Sequence, residues 1–157
     1  MCSETLSMTD PLWKRPESVL IVVYTMAGEV LLMERTQPIG FWQSVTGSLL
    51  WDELPAAAAR RELLEETGTV AEPRDCQLQN RFPVLPAWRE RYHPDVQENI
   101  EHVFSLALAA RCNIFLNPDE HRQYEWLDAH AAIRRCSSWT NAQAIEKIIL
   151  GGPNSSQ

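Results

Sequence analysis

The stretch GSLLWDELPAAAARRELLEETGT, from Gly47 to Thr69, decides the reading of this chain. From Pro55 to Thr67 it predicts a helix: Pro suits a first helical turn, strong helix formers follow, and Gly68 supplies the stop. Leu54 is a poor N-cap, so Asp52 or a bound ligand is expected to serve the free amides. On that helix Glu62, Glu65 and Glu66 lie three and four positions apart and project over an arc of about 100°. Exposed, such a patch is only mildly unfavourable, and an isolated Glu-Glu pair is ordinarily a solvated charged face.

Working outward, SVLIVVY (Ser18 to Tyr24) is a β-branched run that reads as a buried strand, and TMAGE turns the chain into VLLMER (Val30 to Arg35), which suggests a hairpin. FWQSVTGSLL, from Phe41, reads as a further strand running into a loop at Gly47 and Ser48. Beyond the helix, Pro73, Pro83, Pro86 and Pro94 punctuate an irregular segment with a short strand near Gln77 to Phe82. Strands are expected again at Glu98 to Ala110 and Gln123 to Asp128, with Asp128 starting a helix and Ser138 capping a last amphipathic one, WTNAQAIEKIIL. GGPNSSQ reads as a loose tail. The pattern predicts one domain over residues 1–157, ordered from about 14 to 150, of the α/β or α+β class with a mixed sheet.

Composition narrows the function classes. With 157 residues and 45% hydrophobic content, the chain can bury a core without disulfides or a structural metal. VLIVVY falls far short of the ~20 residues of a spanning helix, and the N-terminus lacks a signal-type apolar core, so a cytoplasmic protein with no membrane contact is expected. Cys2, Cys76, Cys112 and Cys136 are scattered and read as reduced thiols. A net charge of −7 argues against coating a nucleic-acid polymer. An anionic small molecule needs local cations or a metal, and no obligate protein partner is evident.

The spacing around the glutamates carries more. Gly47 is followed after five residues by Glu53, after seven more by Arg61 and Glu62, and then by Glu65, Glu66 and Gly68. This resembles the signature of the Nudix hydrolases at every named position but the last, where Thr69 replaces an aliphatic residue. The resemblance implies an α/β/α sandwich with a mixed sheet and a Mg²⁺-dependent pyrophosphohydrolase, with Mn²⁺ as a substitute. Carboxylates on a rigid helix suit Mg²⁺, which takes one or two protein oxygens and completes its octahedron with water and substrate phosphates. Glu62 and Glu66 are the foremost ligand candidates, with Glu65 as a third ligand or a water-positioning group. Glu120, in NPDEHRQYEW, is a candidate base or further ligand, because family members often draw a late acidic residue from a loop opposite the signature. Gly47 lets backbone approach, Glu53 can orient ligands or the ion, and Arg61, some 100° around the helix from Glu62, is expected to pair with loop carbonyls or carboxylates. LLWDE is more apolar than many family loops, so Leu50 and Trp51 offer no accessory ligand.

WKRPESVLIVVY, FWQSVTGS, ERYHP, YEWLDA and SWTNAQAIE extend the resemblance from about Lys14 to Ile149, toward family members that release pyrophosphate from a pterin triphosphate and also hydrolyse dATP. That likeness implies substrate contacts from Lys14, Arg35, Thr46, His121 and Ser138. Taken alone, Arg35 reads as a strand-end surface charge and Lys14 as a snorkelling side chain. Phe82, Pro83, Val84 and Leu85 are candidates for the wall of a ring pocket, although short apolar runs are usually core. Trp42 and Trp139 have faces suited to a flat heterocycle, but core packing is the expected role of each. His93 and His102 read as ordinary surface or hydrogen-bonded residues. Two competing functions are a broad nucleoside triphosphate pyrophosphatase and a catalytically silent Nudix domain that binds a nucleotide or pterin.

Overall fold

A computed structural model describes residues 7–10 and 12–151, which leaves Cys2 and the tail beyond 151 outside the described residues. The β-branched run at the start of the chain forms β1 (Glu17–Thr25), a strand buried along almost its whole length. It is followed by β2 (Glu29–Arg35), β3 (Trp42–Gln43), β4 (Val45–Ser48), α1 (Pro55–Thr67), β5 (Arg74–Pro83), a 3₁₀ turn (Pro86–Arg91), β6 (Glu98–Leu108), β7 (His121–Asp128), α2 (Ala129–Arg135) and α3 (Trp139–Ile149). The strands form a single mixed seven-stranded sheet, with β6 parallel to β1 and β4 antiparallel to it.

Burial on both faces explains why β1 shows no alternation. Val19, Ile21 and Val23 join Ala58, Ala59 and Leu63 of α1 in one core layer. Leu20 and Val22 join Ala129, Ala132, Ala144 and Ile145 of α2 and α3 in the other. The outcome is the expected sandwich, with α1 covering one face and the last two helices the other.

Several local expectations change. The hairpin of β1 and β2 holds only at Tyr24 opposite Val30; β4 takes the edge of β1 from Ser18 to Ile21, and β7 pairs along β2. The strand expected at Gln77 begins at Arg74, with a register shift between Asp75 and Leu78 around Gln77, whose φ is 55°. Much of the irregular segment is therefore sheet, and Phe82 and Pro83 belong to a strand. Asp128 caps α2 by accepting from the Ala131 amide at 3.0 Å. Ser138 occupies the N-cap position of α3 without a side-chain cap; its Oγ lies 2.9 Å from the Thr140 hydroxyl. Leu54 likewise leaves α1 without a side-chain cap, and Asp52 does not supply one. Trp42 is buried in the core, but Trp139 is 62% exposed, contrary to its expected packing role, because it opens α3 on the outward side.

Candidate active site

The loop between β4 and α1 is held by two arginines. Arg15 donates through Nη1 to the carbonyls of Leu50, Trp51 and Glu53 at 2.8, 3.0 and 2.9 Å. Arg61 reaches back from α1 to both Glu53 oxygens at 2.7 and 2.8 Å and to the Ser48 carbonyl at 3.1 Å. It also donates to Glu62 Oε1 at 2.8 Å and to Glu65 Oε2 at 3.3 Å. The helical offset from Glu62 is thus overcome by the length of the guanidinium arm. The Glu53 bond raises the Arg61 pKa further, so this clasp is permanently charged. Glu53 serves the clasp and the Leu50 amide, which donates to it at 3.0 Å.

This clasp presses α1 against β4. A Cβ on Gly47 would stand 2.1 Å from Glu62 Cδ, so only glycine admits the carboxylate there. Glu62 and Glu66 are both buried and hydrogen-bonded to each other. Burial, the bond to Glu62, and the charges of Glu62 and Glu120 push the Glu66 carboxyl well up; burial likewise raises Glu62. Ionised together, each opposes the other, a conflict that a bound cation would relieve. Ligand atoms of Glu66, Glu120 and His121 lie within 4.8 Å of one another. His121 is 1% exposed and its Nδ1, 4.0 Å from Glu66 Oε1, has no hydrogen-bond partner. An orphaned buried nitrogen beside mutually repelling carboxylates fits a divalent cation, and the oxygen-rich donor set fits Mg²⁺ or Mn²⁺.

Glu65 is not brought to this cluster. Its side chain is 50% exposed and tied to Arg61 on the outer side of α1. His121, expected at substrate, lies beneath the surface instead: Nε2 is 3.0 Å from Gln43 Nε2, and burial followed by the Arg35 charge lowers its pKa to about 4. A neutral imidazole is thereby favoured.

A cleft of about 1010 Å³ opens beside the cluster, large enough for a heterocycle carrying a polyphosphate. Lys14, Arg35, Thr46, Phe82, Pro83, Leu85 and Ser138 line it, together with Glu62 and Glu120. Val84 does not; its amide donates to the Gln97 carbonyl at 3.1 Å. Thr46 spends its hydroxyl on the Val19 carbonyl at 2.8 Å. Lys14 is depressed by burial and then by the charges of Arg91 and Arg35, a crowding of cations that an anionic ligand relieves. Arg91, which falls within ERYHP, and Trp88, over which Arg35 stacks at 5.5 Å, were not singled out from the sequence; they reach the cleft on the 3₁₀ turn. Trp139 lines the cleft as well. His102 is bound to Glu17 at 2.6 Å, and His93, buried edge-on to Trp13, accepts from the Asp95 amide at 3.1 Å, so both are hydrogen-bonded residues.

The NUDIX domain family matches residues 14–148, and the chain belongs to that family of hydrolases. It is 42% identical over 149 residues to the dihydroneopterin triphosphate diphosphatase of Escherichia coli K12, with 91% of this chain and 98% of that protein covered. The enzyme of the same name from Haemophilus influenzae is 34% identical over 144 residues, covering 88% and 90%. The solved structure of the E. coli dihydroneopterin triphosphate pyrophosphohydrolase superposes with a TM-score of 0.84 at 39% identity, over 90% of this chain and 99% of that one.

Proposed function

We propose that this pyrophosphohydrolase converts 7,8-dihydroneopterin triphosphate to the monophosphate and pyrophosphate with Mg²⁺ as cofactor, which would place it in folate biosynthesis in the cytoplasm. The observation that carries the reading is a cleft that joins Glu62 and Glu120 at the edge of the carboxylate cluster with Lys14, Arg35 and Arg91 and a ring-sized space, in a chain similar over nearly its full length to enzymes of that activity. Among the described residues no helix is long and apolar enough to cross a membrane.

Glu62 and Glu66 would hold the ion, with His121 backing Glu66 and Glu120 serving as a further ligand or as the base. When bound, Mg²⁺ neutralises polyphosphate charge and polarises the phosphoryl oxygens toward attack. The chain's own groups do the rest. Lys14, Arg35 and Arg91 draw the polyphosphate into a cleft that an acidic protein would otherwise deny it. Arg61 fixes Glu62, and Gly47 fixes the distance between β4 and α1. Glu120, exposed at the cleft wall, is the candidate to take a proton from the attacking water.

The test is pyrophosphate release in Mg²⁺ from 7,8-dihydroneopterin triphosphate and dATP side by side, with Glu66→Gln as the inactive control. A higher kcat/KM for the pterin substrate supports the reading. A preference for dATP would make the protein a general nucleotide pyrophosphatase, and binding without release would make it a silent sensor.

A further inference from the structure

The far part of the cleft holds two buried polar groups that polyphosphate chemistry does not use. Asn99 and Glu101 lie two residues apart on β6 and point to the same side of the sheet. The registers place Ser18 of β1 and Asn80 of β5 beside Glu101, and Phe82 beside Asn99, on that face. Asn99 is 3% exposed and donates through Nδ2 to Ser18 Oγ at 2.8 Å, yet its Oδ1 is buried without any hydrogen-bond partner. Glu101 is 5% exposed and accepts from Asn80 Nδ2 at 3.2 Å and from the Thr140 hydroxyl. A carboxylate offers about four lone-pair sites, so roughly half its capacity is open. Burial raises its pKa despite these two bonds. Both residues line the cleft, as do Phe82 and Trp139.

A buried acceptor with no donor is costly and uncommon, and one standing in a cleft beside a buried carboxylate with open capacity calls for a ligand that brings N–H groups. The pyrimidinone edge of a pterin carries an amino group directly beside a ring N–H, two parallel donors that a carboxylate accepts together. Adenine carries one amino group beside an unprotonated ring nitrogen, whose lone pair would face the second carboxylate oxygen. We propose that Glu101, with Asn99 as the neighbouring acceptor, reads the amino-pyrimidinone edge of the substrate ring and sets the preference for a pterin over adenine. The proposal rests on the pterin triphosphate reading above and assigns its specificity to two side chains on β6.

The experiment compares kcat/KM for 7,8-dihydroneopterin triphosphate and for dATP in wild type, Glu101→Gln and Asn99→Ala, with neopterin binding followed by its own fluorescence. The isosteric Glu101→Gln presents one donor and one acceptor. It is expected to lower the pterin to dATP ratio about 10- to 100-fold, the loss of a charge-assisted hydrogen bond, and to weaken neopterin by a similar factor. Asn99→Ala is expected to move both readouts in the same direction by less. Folding is monitored by thermal unfolding of each variant. A wild type that prefers the pterin, with a ratio and neopterin affinity unchanged in Glu101→Gln, overturns the assignment while leaving the function standing. A wild type without pterin preference overturns the function, and this proposal with it.

Discussion

Replacing Gly47 by alanine should disable the site through a single methyl group. The new Cβ would lie 2.1 Å from Glu62 Cδ and 2.3 and 2.5 Å from its two oxygens. Ordinary contact begins at 3.4 Å, so the carboxyl group must retreat by about 1.3 Å. It has little room to do so, because Arg61 holds Oε1 at 2.8 Å and Glu66 packs on the other side. Overpacking of this kind costs about 1–3 kcal/mol, which for a domain of this size lowers Tm by roughly 2–4 °C for each kcal/mol. The activity should suffer more than the fold. Displacing a catalytic group by about 1 Å can cost on the order of 100-fold in rate, so kcat/KM for pyrophosphate release should fall by about that factor, with weaker Mn²⁺ binding by calorimetry. Shortening the partner supplies the control: Glu62→Asp withdraws the carboxylate, and a double-mutant cycle should show that Gly47→Ala destabilises the Glu62→Asp variant less than the wild type. A Gly47→Ala protein with wild-type kcat/KM and Mn²⁺ affinity would refute the close approach as the reason for glycine.

Glu66→Gln should raise the Tm of the metal-free protein near neutral pH, because a neutral amide replaces a buried carboxyl whose ionisation burial, Glu62 and Glu120 oppose, while abolishing most of the Mg²⁺-induced gain. That gain in wild type is about 2.7 kcal/mol at a hundredfold excess over Kd, and differential scanning fluorimetry with and without Mg²⁺ reads both effects. Arg61→Lys keeps the charge but loses the fork that bridges Glu53, Ser48 and Glu62; the urea midpoint should drop by the equivalent of about 1–3 kcal/mol, and an unchanged midpoint would exclude the clasp. Glu101 supplies a pH test. Its folded pKa lies above the ordinary 4.5, so the native state binds more protons than the unfolded state in the window just above 4.5. Stability contributed by this group therefore falls as pH rises through that window, and below it the difference vanishes. Urea unfolding of metal-free wild type and Glu101→Gln between pH 4.5 and 7 should show a shallower decline in the variant; parallel curves would contradict the burial argument.

Much of the catalytic element was legible because it is local. The helix from Pro55 to Thr67, its stop at Gly68 and the placing of Glu62 and Glu66 on one side follow from propensity and a 3.6-residue period, and the spacing from Gly47 to Gly68 identified the family. β1 and β2 were legible for the same reason, since apolar β-branched runs declare a buried strand. What pairs with them was not, because a strand's edges carry no partner label; β4 rather than β2 takes the edge of β1 from Ser18 to Ile21, and that choice brings Gly47 against Glu62.

Tertiary structure alone decided which charged groups meet. Arg61 grips Glu62 because a long side chain overrides the helical offset, and the same guanidinium contacts the half-exposed Glu65 at 3.3 Å, apart from the Glu66 cluster. His121 went below the cleft rather than into it, opposite Arg35 of β2 and 3.0 Å from the Gln43 side chain. Arg91 and Trp88 join Lys14 and Arg35 from a 3₁₀ turn more than fifty residues away from either, and Asn99 and Glu101 become a paired acceptor only when β5 and α3 close over β6. Sequence by itself determined the family, the signature helix and the carboxylates it carries, because those depend on neighbours within a few turns of chain. The shape of the pocket and its means of telling one ring from another arise from contacts between distant segments, and such contacts exist only once the sheet has assembled.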